Sequence, residues 1–140
     1  ARLLTVDCAV LAADRGTRTP SLPGGLVAAA LALARLGSPG LVENGELREP
    51  IAAISVGLVE DRPMLDLCYT EDRDAEVDLN VVGTPGGGVV EVQGTAEGAP
   101  IPRERLDQML DLALGAMPEL AAAQKRTLAA LDIDIDRLLA

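Results

Sequence analysis

The chain has 140 residues, 49% hydrophobic, with no histidine, one tyrosine as its sole aromatic residue and a formal net charge of −10. That length suits one domain with an aliphatic core. Without histidine there is no Ser-His-Asp or Cys-His nucleophile, no His-ligated zinc and no imidazole base, so acid–base or metal chemistry must use carboxylates. The acidic balance and near absence of aromatics argue against a self-sufficient nucleic-acid surface and against base stacking.

Taken in order, Arg2–Ala13 reads as a β-branched strand, with Leu4, Val6, Cys8, Val10 and Ala12 on one face. Thr19, Pro20, Ser21 and Pro23 form a helix start that Thr19 or Ser21 can cap, although Pro23 costs a bond if the helix begins at Pro20. The helix runs from about Gly24 to Leu36 and stops at Gly37-Ser38-Pro39-Gly40. It is apolar nearly all round, which predicts burial over much of its surface. A turn at Glu43-Asn44-Gly45-Glu46 precedes the strand Ile51–Val59, a hairpin turn at Asp61-Arg62-Pro63 and a return strand Met64–Tyr69. An acidic crossing, Thr70–Glu76, leads to the strand Val77–Gly83. Pro85-Gly86-Gly87-Gly88 then turns into Val89–Thr95.

From Pro102 to about Leu131 the pattern is helical, with Gly115 and Pro118 expected to kink or split it. Ile133 to Ala140 reads as a frayed helical tail. Cys8 and Cys68 lie in strand-like runs and are expected to be reduced, buried thiols. No apolar run reaches the ~20 residues that span a bilayer, and nothing resembles a signal peptide, so a soluble, cytoplasmic chain is expected. Because it begins inside strand-like sequence, the chain reads as a piece of something longer. The expected fold class is α+β, a mixed or antiparallel sheet packed against helices.

Three blocks carry possible chemistry. Asp14-Arg15-Gly16-Thr17-Arg18-Thr19 joins a strand, a glycine turn and a helix start, where unpaired N–H groups and the helix dipole favour an anion. Gly16 lets the backbone approach, Thr17 adds a hydroxyl, and Arg18 adds a fork that fits two phosphate oxygens. A capped turn with Arg18 paired to a surface carboxylate is the plainer alternative. In the acidic crossing, Asp72 and Asp78 reach one point if the chain turns between them, an oxygen pair suited to magnesium. A solvated acidic loop is the alternative there, although Asp78 lies between Val77 and Leu79, where an unpaired carboxylate is costly. In Gln93-Gly94-Thr95-Ala96-Glu97-Gly98, two glycines imply a sharp bend or a close approach of another element. Glu97 suits a ribose hydroxyl or an arginine, or it simply ends a strand.

In this order and spacing, DRGTRT, EDRDAEVDLNVV and EVQGTAEGAP resemble ribonuclease PH, as do LTVDCAVLAAD and AQKRTLAAL. The resemblance covers Leu4 to Leu131, and QGTAEG is its most specific piece. It implies a carboxy-terminal portion, residues 1–140, of a ribonuclease PH domain whose amino-terminal part is missing. It further implies a phosphate-dependent 3′–5′ exoribonuclease that trims tRNA 3′ ends, and other RNA, releasing nucleoside diphosphates. By that resemblance Gly16, Thr17 and Arg18 bind inorganic phosphate as co-substrate, Asp72 and Asp78 are catalytic and hold magnesium, and complete members form homohexamers. A truncated, non-catalytic paralogue that binds phosphate or a partner subunit is the alternative. Departures from the family pattern fall at Arg15, Pro20, Pro23, Cys68, Arg73, Asp74 and Pro102. Of these, Arg73 is placed to pair with Asp72 and compete with magnesium. The stretch between Leu36 and Ile51 aligns poorly.

Overall fold

A computed structural model of the chain describes residues 3–12, 16, 18–37 and 47–139. Helix α1 (Arg18–Gly37) is followed by strands β1 (Ala52–Val59) and β2 (Arg62–Leu65), a short helix α2 (Tyr69–Arg73), strands β3 (Val77–Gly83) and β4 (Val89–Ala96), helix α3 (Arg103–Ala129) and a single 3-10 turn at Ile135–Arg137. The strands make one antiparallel sheet in the order β2-β1-β3-β4. With the helices packed on it, this is the expected α+β fold, its sheet antiparallel throughout.

Alternation along the strands decides which face is buried. Val56 and Leu58 of β1 and Val77, Leu79 and Val81 of β3 turn toward α3, where Met109, Ala113 and Met117 repeat every fourth residue and complete the core. The other face carries Ser55, Gly57, Asp78, Asn80, Gln93 and Thr95, in the cross-strand rows Ser55–Asn80–Gln93 and Gly57–Asp78–Thr95. A second, smaller cluster joins Ala30 and Leu33 of α1 to Leu128, Ile135 and Leu138. The chain end expected to fray is therefore anchored, and Leu47 bridges to Leu139 beside it.

The hairpin between β1 and β2 turns on Glu60 and Asp61, whose φ values of 49° and 61° are the left-handed pair a two-residue hairpin loop requires. The return strand is shorter than expected. It ends at Leu65, because Asp66 takes φ 49° and redirects the chain. Tyr69 and the acidic crossing then form α2, started when the Cys68 amide donates to Glu71 Oε2 at 2.8 Å. Pro102 sets the start of α3 with an extended backbone. The helix continues unbroken through Gly115 and Pro118, correcting the expected split; core packing by Ala113 and Met117 before the proline and by Leu120 after it holds the step that lacks a proline N–H.

Further expectations change at the amino-terminal end. Residues 3–12 form no strand, and Leu3 and Leu11 are 91% and 97% exposed. A β-branched run becomes a strand only with a partner ladder, and the described residues supply none for it. Cys8 and Cys68 are both exposed free thiols, one in this unpaired segment and the other at the start of α2. Helix α1 begins earlier than expected, at Arg18, and includes Pro23. Its stretch Thr19–Gly37 is long and apolar enough to cross a bilayer by length and composition, which corrects the expectation of no such run. Among the described side chains of this helix only Ala30 and Leu33 are buried, less than its apolar character predicts; the helix lies against β1 and α3. The turn expected at Glu43–Glu46 lies outside the described residues.

Candidate functional site

A cavity of about 570 Å³ opens where the start of α1 meets β1 and the bend after β2. Its lining includes Gly16, Thr19 and Pro23 at the start of α1, Ser55 of β1, and Asp66 and Cys68 of the bend after β2. Gly16 has φ 36°, a left-handed conformation that favours glycine, while a Cβ there would meet Thr19 Oγ1 at an ordinary 3.7 Å. Its value is therefore backbone freedom rather than space. Arg18 is the first residue of α1, so the helix's unpaired N–H groups begin at the cavity's edge. Thr17 and the Arg18 side chain lie outside the described part, as do Asp14 and Arg15.

The two expected carboxylates lie on separate elements. Asp72 is half-buried in α2, and Asp78 is half-buried in β3 opposite Gly57 and Thr95. Among the described residues, the cavity wall holds Asp66 and neither Asp72 nor Asp78. Asp78 nevertheless shares a sheet face with Ser55, one cross-strand row away. Leu67 packs over Gly57, the register partner of Asp78, and is itself a cavity wall. Among the described residues no group of three or more acidic or cysteine side chains converges to hold a metal. As oxygen donors, Asp72 and Asp78 are of the chemical kind that magnesium takes, one or two carboxylates with water and phosphate oxygens in its other positions.

Neighbouring side chains define the electrostatics. Arg73 forms a two-pronged pair with Asp74, Nε to Oδ1 at 2.8 Å and Nη2 to Oδ2 at 3.0 Å. The hydrogen bond and charge of Arg73 hold the Asp74 carboxyl below its ordinary range. Arg73 is thus engaged beside α2, on a partner other than the one expected. Glu97 is exposed, and its backbone N–H bonds the Glu76 carbonyl at 2.9 Å. The expected close approach at the glycine block is found at Gly94, where a Cβ would lie 2.5 Å from the Asp78 carbonyl oxygen.

Ser55 and Asp66 were not singled out from sequence. The left-handed Asp66, directly after a strand, is the one local oddity that marks its position, and a non-glycine residue at positive φ leaves little trace in composition.

The profile of the 3′ exoribonuclease family, domain 2, matches residues 49–116. The ribonuclease PH of Syntrophomonas wolfei is 47% identical over 127 residues, covering 91% of this chain and 53% of that protein. The Mycobacterium leprae ribonuclease PH is 50% identical over 127 residues, 90% of this chain and 49% of the relative. That of Acaryochloris marina is 51% identical over 128 residues, with 91% and 54% covered. The chain belongs to the ribonuclease PH family. It spans about half the length of these ribonuclease PH relatives. The aligned stretch takes in about nine-tenths of the chain.

Proposed function

We propose that this chain is the carboxy-terminal portion of a ribonuclease PH, a phosphate-dependent 3′–5′ exoribonuclease that trims tRNA 3′ ends and other RNA in the cytoplasm. The observation that carries the reading is near-half identity to ribonuclease PH proteins across almost the whole chain. The cavity at the Gly16 corner supports it, because an anion at a helix start meets N–H donors and a favourable dipole.

On this reading Gly16, Thr17 and Arg18 hold inorganic phosphate. One of its oxygens attacks the phosphorus of the terminal nucleotide. The bond to the 3′ oxygen of the preceding nucleotide breaks, that oxygen takes a proton, and a nucleoside diphosphate leaves. Asp72 and Asp78 would hold magnesium, which when bound offsets negative charge on the scissile phosphate. Phosphoryl transfer depends on positioning and charge neutralisation, so a site without histidine suffices. The complete protein would act as a homohexamer. A non-catalytic chain that binds phosphate or a partner subunit is the second reading, favoured by the net charge of −10.

The test supplies 3′-extended tRNA, magnesium and inorganic phosphate to the chain, alone and mixed with the amino-terminal half of a relative. Nucleoside diphosphates in either arm support the enzyme. Their absence in both, with phosphate still bound, supports the non-catalytic reading.

A further inference from the structure

Gln124 is 96% buried, being 4% exposed, and lies on α3 one turn beyond Leu120, a wall of the cavity. Its Nε2 donates to the Ile51 carbonyl at 3.1 Å and to the Pro23 carbonyl at 3.4 Å. With two carbonyls on that side, the amide nitrogen must face them, which fixes the orientation of the group. Its Oε1 is buried with no hydrogen-bond partner among the described residues. A buried amide left half-satisfied is costly, so retaining one at this position calls for a compensating role.

The first turns of α1 supply a reason. Pro20 lacks an N–H at a position where none is needed, but Pro23 lacks the N–H that would bond the Thr19 carbonyl. The turn that opens on the cavity is therefore weakly tied from within its own helix. Gln124 ties it from outside, joining α1 at Pro23 to the residue before β1.

We propose that Gln124 is a positioning residue that sets the start of α1 against β1 and so shapes the phosphate cradle. This rests on the cradle reading given above. The amide does not touch phosphate; it acts through Pro23.

The experiment measures binding of inorganic phosphate to the full chain by titration calorimetry, with thermal unfolding in parallel. Gln124→Leu should bind phosphate roughly three- to tenfold more weakly, the loss expected for about one net hydrogen bond. Its unfolding midpoint should stay within about 5 °C, since removing the orphaned oxygen offsets part of the lost bonding. Gln124→Glu provides the second reading. Ionised, it faces two carbonyls with no donor and should bind phosphate weakly. Protonated at lower pH, it regains one donor, so its deficit relative to the parent should shrink. A merely structural role would not produce that pH-dependent recovery. Parent-like phosphate affinity in Gln124→Leu overturns the inference while leaving the cradle intact. Global unfolding of both variants overturns it too, assigning the residue to the folded core. If the parent chain binds no phosphate, the cradle and this inference fall together.

Discussion

A Cβ on Gly57 would stand 2.0 Å from Cδ1 of Leu67 and 3.0 Å from its Cγ. Leu67 occupies the space a side chain at position 57 would need, on the sheet face opposite α3. The left-handed Asp66 turns the chain back so that Leu67, only 2% exposed, lies over β1. Gly57→Ala should therefore force Leu67 out of place. Overpacking of this kind costs about 1–3 kcal/mol, and the thermal midpoint should drop by several degrees. An unchanged midpoint would mean that Leu67 has free room elsewhere. Because Leu67 is also a cavity wall, the substitution should weaken phosphate binding as well.

Gly94 has the same relation to β3. A Cβ there would lie 2.5 Å from the backbone oxygen of Asp78 and 2.6 Å from Cδ1 of Leu79. The first neighbour is backbone and cannot swing aside, so Gly94→Ala should break the local ladder at the register pair Leu79–Gly94. Among the described residues no atom lies within 4 Å of a would-be Cβ on Gly98. Gly98→Ala should therefore change stability by less than about 0.5 kcal/mol, while Gly94→Ala lowers the midpoint clearly. Equal midpoints for the two variants would contradict the close approach.

These contrasts show what could be read from residue order. Periodicity located β1, β3 and α3 because each buries apolar side chains against the core; β4, exposed along nearly all its length, was marked instead by the glycine turn before it. The glycines of the QGTAEG block signalled a close approach that occurs at Gly94. The strand expected at Arg2–Ala13 did not form, since pairing depends on a neighbour that a local pattern cannot reveal. Leu67 was legible as apolar, but its partner Gly57 was not. Nothing local says which glycine leaves a hole for which side chain. Asp66 escaped notice as a cavity residue for a similar reason, as its position depends on a single left-handed backbone angle. Gln124 sits within a recognisable helix, yet its role depends on carbonyls 73 and 101 residues away in sequence.

The Arg73–Asp74 pair gives a pH-dependent prediction. The Asp74 carboxyl is held below its ordinary range in the folded chain, so any stabilisation is present above the unfolded carboxylate pKa, about 3.9, and is lost as pH falls through the folded value. Both side chains are more than 60% exposed, at 63% and 62%, so solvent screens the pair and it should contribute little to stability. Carboxyl titration by NMR should show Asp74 moving upward in Arg73→Ala, with the unfolding midpoint nearly unchanged. An Asp74 that titrates identically in both proteins would show that the pair does not persist in solution.

Arg18 and the two aspartates should fail in different ways if the proposed division of labour holds. Arg18→Ala removes a charged, two-pronged donor from the cradle and should weaken phosphate binding roughly ten- to a hundredfold, the range for charge-assisted hydrogen bonds. Because the helix start is set by backbone and by Gln124, the fold should survive. Asp72→Asn and Asp78→Asn keep size and polarity but lose charge, so phosphate affinity without magnesium should hold steady or rise as a nearby negative charge is removed. Magnesium-stimulated release of nucleoside diphosphates, measured in whichever arm is active, should fall by at least about a hundredfold in each, as is usual when charge stabilisation of a transferring phosphoryl group is lost. Should Arg18→Ala leave phosphate affinity intact while both asparagine variants reduce it, phosphate would belong on a metal held by the carboxylates. The glycine corner would then be only a helix start.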